Sequence, residues 1–378
     1  MVDKNSTKTI KISRDDLELT DENTRYSVHL TYKKAGSMIT AIDIGLDNQI
    51  GALTVREGFR IGNATGATTI CPISESNINA GNACFVDLRD LPSLSGYTIS
   101  KSSNSNCIYL LPEGASIPTS LENCNVVLGN TATSLTLEDG ADFYSPIAFT
   151  ATNATYTRTF DVAAAGTSGW SSLFLPFTAT SITCEGLGTV DWFHSSTNEG
   201  KNFWLRSFTA DGEGSVTFDY AQEIAANTPY IIAVPGEDFG EWKMTGKAVT
   251  FSGTNVSIVP SGTASASGNH YKFCGSSIGS SLKDVYILNK TGSKFVKKTT
   301  STTVPAFRGW FSPVSISSLS HTSLSIVGPE TTGIKTIGSD ENAGNGTGWW
   351  YSIDGRRLTA APSAPGIYIN NGKKIVIK

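Results

Sequence analysis

In this 378-residue chain, Gly275-Ser276-Ser277-Ile278-Gly279 is the only string whose residue types and spacing match a catalytic pattern. It spells G-x-S-x-G, a tight strand-to-helix turn that exposes a nucleophilic serine. Asp284 and His321 come later in the chain, in the Ser, Asp, His order of one triad type. The surroundings fit poorly. A strand is expected before the motif, at Tyr271–Phe273. The segment after it, SSLKDVYIL, reads as another strand and not as the required helix. Gly and Ser are so common here that a chance match is expected. A hydrolase using Ser277 is therefore the third reading.

The remaining titratable residues are scattered. His29, His194, His270 and His321 read as loop or surface residues. Acidic clusters occur at Asp15-Asp16, Glu138-Asp139-Asp142, Asp211-Glu213, Glu237-Asp238 and Asp340-Glu341. Paired carboxylates hydrolyse glycosides only at set separations. Most of these pairs fall in turns, where turn chemistry explains them. None has the spacing of an EF-hand calcium loop. Six cysteines, at 71, 84, 107, 124, 184 and 274, include no C-x-x-C pair, and no His stands at a metal-ligand spacing. No metal and no cofactor are expected. Cys107 with Cys124, and Cys71 with Cys84, could pair; buried free thiols are the favoured alternative.

Aromatic side chains offer a second kind of chemistry. Exposed rings on a β-sheet face stack on sugars, and Trp192, Trp204, Trp242 and Trp310 are the candidate platform, with core packing as the alternative.

The elements that must position these residues read as all-β. Charged residues make up 16%, below the usual quarter, while 10% aromatic content can build cores. A net charge of −4 argues against nucleic acid as the main partner. No apolar run is long enough for a transmembrane helix. Residues 1–150 are strand-rich and irregular or solenoid-like, with alternation at Thr7–Ile12 and Arg25–Tyr32 and a strand around Ile39–Ile44. Residues 151–327 carry about ten short strands separated by turn signals, as in a β-sandwich or a barrel-like double sheet, with a short helix around Gln222–Ala226. Residues 328–347 are a polar linker. Residues 348–378 are a small β module. Asp354-Gly355 and Asn371-Gly372 are its expected two-residue hairpin turns.

That last module carries a resemblance. An aromatic, then IDGRRL, then PGIYI and a terminal NGKKIVIK resembles, over Trp350–Lys378, the C-terminal segments of secreted and surface proteins of Bacteroides- and Prevotella-type bacteria. It is similar to the sorting domains of the type IX secretion pathway, but shorter and more basic. Its five basic residues stand against Asp354 alone. The strings NCIYLLPEGASIP and NVVLGNTA resemble the closing segment of leucine-rich-repeat, BspA-like surface proteins. The succession SLFLPF, ANTPYIIAVPG, YILNKTGSKF and VPAFRGWF resembles a domain common upstream of such tails. The resemblance implies export, an extracellular or outer-surface location, and a sorting module carried by Asp354, Gly355, Arg356, Gly366, Tyr368, Asn371, Gly372, Lys373 and Lys374. It implies export machinery as a partner and no enzymatic activity. The first twenty residues contain no apolar signal region. Either the protein is cytosolic or the sequence is a fragment, and the tail favours the fragment.

The expectation is thus a non-enzymatic surface protein for adhesion, display or binding of a host protein, matrix or glycan ligand. The alternative is a carbohydrate-binding accessory protein of a glycan-utilisation system.

Overall fold

The computed structural model describes residues 80–378 except Asp90, Pro92, 196–201, 316–319, 330–349, 353–356, 359–361, Ala364, 371–372 and Lys378; before residue 80 it describes the backbone of strands at 2–3, 27–35, 38–47, 49–50, 53–54, 58–60 and 77–78. The expected strand at Thr7–Ile12 lies outside these residues. The chain divides into two compact units, Met1–Thr331 and Thr332–Lys378.

The first unit begins with a three-stranded antiparallel sheet, in which Val2–Asp3 and β1 (Ser27–Ala35) flank β2 (Met38–Asp47). A solenoid-like stretch comes next, with β3 (Gly58–Arg60), β4 (Phe85–Asp87), β5 (Ile108–Leu111) and β6 (Asn125–Leu128) stacked in parallel. The residues of β5, IYLL, are all buried, as the continuous apolar pattern of a parallel strand covered on both faces requires. Period-two geometry then splits them. Tyr109 and Leu111 enter the core of the coils with Val86, Leu88 and Ile99. Ile108 and Leu110 enter a larger core on the opposite face.

The stack is closed by a hairpin. Leu128 pairs antiparallel with Thr131 at the start of β7 (Thr131–Glu138). Two buried asparagines seal the join. Asn125 exchanges amide hydrogen bonds with the backbone of Thr136, at 2.7 and 3.0 Å. Asn106 does the same with Glu138, at 2.8 and 2.9 Å. Each amide supplies the donor and the acceptor that a neighbouring strand would supply.

β7 pairs in parallel with β8 (Phe149–Thr159), and β8 pairs antiparallel along its length with β14 (Ala248–Ile258). With β10 (Ser181–Cys184) and Gly188–Thr189 this completes a nine-stranded sheet that starts at β3. A boundary between residues 150 and 151 would therefore cut β8. The domain division expected there is corrected: one sheet and one core run across it. Sequence patterning missed this because alternation reveals a strand but not its partners, and β8 joins strands from both sides of that position.

The second sheet has the order β9 (Ser171–Phe174), β13 (Pro229–Ala233), β11 (Phe203–Gly212), β12 (Ser215–Tyr220), β20 (Ser323–Val327), β18 (Lys294–Lys298), β17 (Val285–Leu288), β19 (Arg308–Pro313), β16 (Tyr271–Ser276) and β15 (Ala264–Ser267), with Trp192–Phe193 added beside β11. It curls back on itself. The amide of Phe174 in β9 donates to Phe307 O at 3.1 Å, and that of Gly309 in β19 donates to Ser172 Oγ at 3.0 Å. Its interior is aromatic. Phe273 stacks on Phe311 at 4.6 Å, with Phe295 edge-on at 4.8 Å. Gly275 makes the curl possible: a Cβ there would lie 2.2 Å from the Phe174 ring. On its other face Leu173, Leu205, Tyr230 and Ile232 meet Leu135, Leu137, Ala151 and Tyr156 of the first sheet. The segment 222–226 is not helical, a correction to the expected helix; Ile224 instead makes an isolated bridge to Ala179. The longest described helix is the 3-10 turn Glu237–Trp242, and no described helix is long and apolar enough to cross a membrane.

The second unit contains an antiparallel sheet in the order β22 (Arg357–Leu358), β21 (Trp350–Ser352), β23 (Gly366–Asn370), β24 (Lys373–Ile377). Asn370 pairs with Lys373, which leaves Asn371-Gly372 as a two-residue connection, as expected. Tyr351 pairs with Arg357, an even separation in sequence that a two-residue turn at Asp354-Gly355 would not give. Those four turn residues themselves, with Arg356, lie outside the described residues.

Candidate anion-binding cleft

The proposed tryptophan platform does not assemble. Trp204 is 2% exposed and Trp310 4%, so neither offers a ring face to a ligand. Trp204 is enclosed by Phe193, whose ring stacks at 5.5 Å, and by Phe239 edge-on at 5.6 Å. Trp192 is half-buried, with its indole N–H donated to Ala221 O at 2.8 Å. Trp242, 45% exposed, is the open one of the four. Trp204 joins the aromatic core of the curled sheet, and Trp310 a smaller cluster with Cys274, Val285 and Val304.

The G-x-S-x-G string has a structural explanation. Ser277 is buried and donates its hydroxyl to Phe143 O at 3.0 Å. The amide of Phe143 donates back to Ser277 O at 2.9 Å, and that of Gly279 to Asp142 Oδ1 at 2.7 Å. The string thus clamps β16 to the loop after β7. It does not present a nucleophile.

The chemistry of the described residues concentrates at β8. Its inward positions run Ala154, Tyr156 and Arg158, so an arginine occupies a place that the alternation reserves for apolar groups. Arg158 is 8% exposed. Its Nη1 donates to Ser172 O at 2.8 Å, and its guanidinium lies 4.4 Å from the centre of the Phe160 ring. Its buried Nε has no hydrogen-bond partner; the nearest acid oxygen, Asp139 Oδ2, is 3.8 Å away. Asp139 is already engaged. Both its oxygens take N–H groups of Arg308, at 2.8 and 2.7 Å, and Oδ1 also accepts the Tyr156 hydroxyl at 2.7 Å.

The electrostatics arise from two cations sharing one carboxylate. Burial pushes Arg158 down to about 10 and the charge of Arg308 acts in the same sense, yet it remains a cation at neutral pH. For Asp139, burial works upward but is outweighed by Arg308, first through its hydrogen bonds and then its charge, with Arg158 and Tyr156 adding to it; the carboxyl is held below its ordinary range. For Arg308, burial is outweighed by Asp139, and its pKa is raised.

This cluster opens into a cleft of about 210 Å³. Arg158, Arg308 and Lys290 line it, with Ser171, Asn289 and Thr303 as further polar groups and Val162, Trp170, Ile287 and Leu288 as an apolar wall. No described residue lining it is acidic. The rim is held in place by the Asn289–Ser293 turn, where Asn289 Oδ1 accepts the Ser293 amide at 2.8 Å. Gly292, at φ +63°, lies so close to Trp170 that a Cβ would sit 2.1 Å from its carbonyl oxygen. Sequence reading placed Asp139 in an acidic turn cluster and passed over Arg158 and Arg308. The available signal was the inward parity of Arg158 between Tyr156 and Phe160.

The other expected groups stay apart. His194 contacts Asp191 at 3.3 Å, His270 lies 3.7 Å from Asp211, and His321 packs over Gly214. Among the described residues no group of three His, Cys, Asp or Glu could hold a metal ion. Cys107, Cys124, Cys184 and Cys274 are free thiols, and Cys84 is buried; Cys71 lies outside the described residues, as do Asp15-Asp16 and Asp340-Glu341. In the second unit Gly366, Tyr368, Lys373 and Lys374 all lie in paired strands, with Tyr368 half-buried. No family model, curated protein or solved structure matches the chain.

Proposed function

We propose that this is a non-enzymatic, exported protein of the cell surface that works by binding, in adhesion, display or ligand capture. The observation that carries this reading is the continuity of the solenoid-like coils with the double sheet. β5 contributes alternate residues to both cores, so an extended face of stacked strands is fused to a second body without a hinge. The separate sheet of Thr332–Lys378 supports a sorting or attachment role for the tail. The test is location. In the producing organism, the intact protein should be accessible to antibody or protease on whole cells, and removal of 350–378 should abolish that access. Retention of both forms in the cytosol would sink the reading.

The cleft favours a second reading, a carbohydrate-binding accessory protein. Its polar rim and apolar wall suit a sugar better than the buried tryptophans do. Silence on a glycan array, with cell or matrix binding retained, would reject it.

A further inference from the structure

We propose that the cleft beside Arg158 is a binding site for a sugar acid: a pyranose-sized, hydroxyl-bearing ligand whose carboxylate is taken by Arg158 and Lys290. This deepens the ligand-binding reading and rests on it.

The charge argument comes first. Arg308 is satisfied by Asp139 in a two-point pair, the strongest geometry available to a guanidinium and a carboxylate. Arg158 has no such partner. It is buried, it keeps an Nε–H with no acceptor, and its one hydrogen bond among the described residues goes to a neutral carbonyl. Asp139, 3.8 Å from that Nε, is one carboxylate shared by two guanidiniums, so the pair keeps an excess positive charge that an incoming anion relieves. Asp161 also faces Arg158, but its effect is the weakest of those acting on it. Lys290, exposed at the rim, adds a second cation with no acid beside it in the lining. The site therefore selects an anion.

The walls then select its shape. At about 210 Å³ the cleft is smaller than the range of about 300–1,000 Å³ typical of drug-sized ligands, so it takes a single compact unit. Val162, Ile287 and Leu288 give the lining apolar surface, and Ser171 and Thr303 give it hydroxyls. A pyranose has an apolar face and a hydroxyl rim and matches both. An aspartate or glutamate side chain of a protein partner would bring the charge but leave the hydroxyl groups unused.

The experiment uses the purified full chain, titrated by calorimetry with D-glucuronate, D-glucose, acetate and a glutamate-rich peptide. Saturable binding of glucuronate is expected, weakened by added salt, with glucose and acetate each weaker by about tenfold or more. Arg158→Gln should abolish the binding. Lys290→Gln, at an exposed turn position, should weaken it several-fold. Equal binding of glucose, equal binding of acetate or peptide, no binding of glucuronate by folded protein, or full affinity in Lys290→Gln would each overturn the proposal. A uronic-acid oligomer binding more tightly than free glucuronate would identify glycan chains as the source; equal affinity would identify the free acid. Failure here with surface location intact would leave the surface reading standing.

Discussion

Arg308 holds Asp139 with two N–H groups at 2.7 and 2.8 Å across 169 positions of chain. The first residue opens a strand of the curled sheet and the second ends the hairpin that closes the coils. The pair is a strap between two sheets, and Tyr156 and Arg158 are positioned around it.

Replacing Arg308 with Leu should lower stability by about 2 kcal/mol, less than for a fully buried pair because both side chains are partly exposed, and Asp139 would then face Arg158 alone at longer range. Chemical denaturation of the variant checks this.

The same pair predicts a pH dependence. The native Asp139 carboxyl lies below its unfolded value, so its contribution is fully present above the unfolded pKa of about 3.9. It is lost as pH falls through the lower native value. Stability should hold from pH 7 to about 4 on this account and decline below. In Asp139→Asn that part of the acid decline should be missing, as unfolding midpoints across pH would reveal. An unchanged acid limb in the variant would contradict the assignment.

Leu110 and Leu111 are neighbours that serve different cores. Each change to Ala should cost about 2–5 kcal/mol. Both should shift one common transition, read alike by tryptophan fluorescence and far-UV dichroism. Two separated transitions would show that the coils melt independently.

Deleting Trp350–Lys378 should leave the melting temperature of the remainder within about 2 °C, because the deleted strands pair only among themselves in the described residues. A large drop would show that the tail completes the first unit.

Thiol labelling offers another test. Cys124 is half-buried, and burial raises its pKa against the opposing pull of Lys101; burial pushes Cys107 up to about 12. In a Cys71→Ser background, native protein should label at Cys124 first, at a rate that climbs with pH as thiolate forms. Cys84, Cys107, Cys184 and Cys274 should wait for unfolding. Rapid native labelling at Cys107 would refute this.

Much of the β architecture was legible in the residues. The patterns at 215–220, 285–288 and 294–298 mark strands whose limits the structure repeats, because each combines β-formers with flanking turn residues. Asn371-Gly372 gave its hairpin for the same local reason. Pairings over long distance were not legible. Nothing in FTATNATYTRT says that it lies between Thr131–Glu138 and Ala248–Ile258, since register is set by what packs on each face. The tryptophans misled because a packed core and an exposed platform use the same residue type. Arg158 was readable in principle, as a charge at an inward position, and its meaning depended on Arg308, which only the fold brings near.

The hairpin at Leu128–Thr131 gives the coil stack a polarity. Past β6 the chain has turned back, and the asparagine-sealed join leaves no room for another parallel strand. Coils inserted between β3 and β4 would keep a parallel neighbour on each side, whereas coils inserted after β6 would have to break that join. Reach can therefore be lengthened in one direction only, while the cleft and both cores keep their present form.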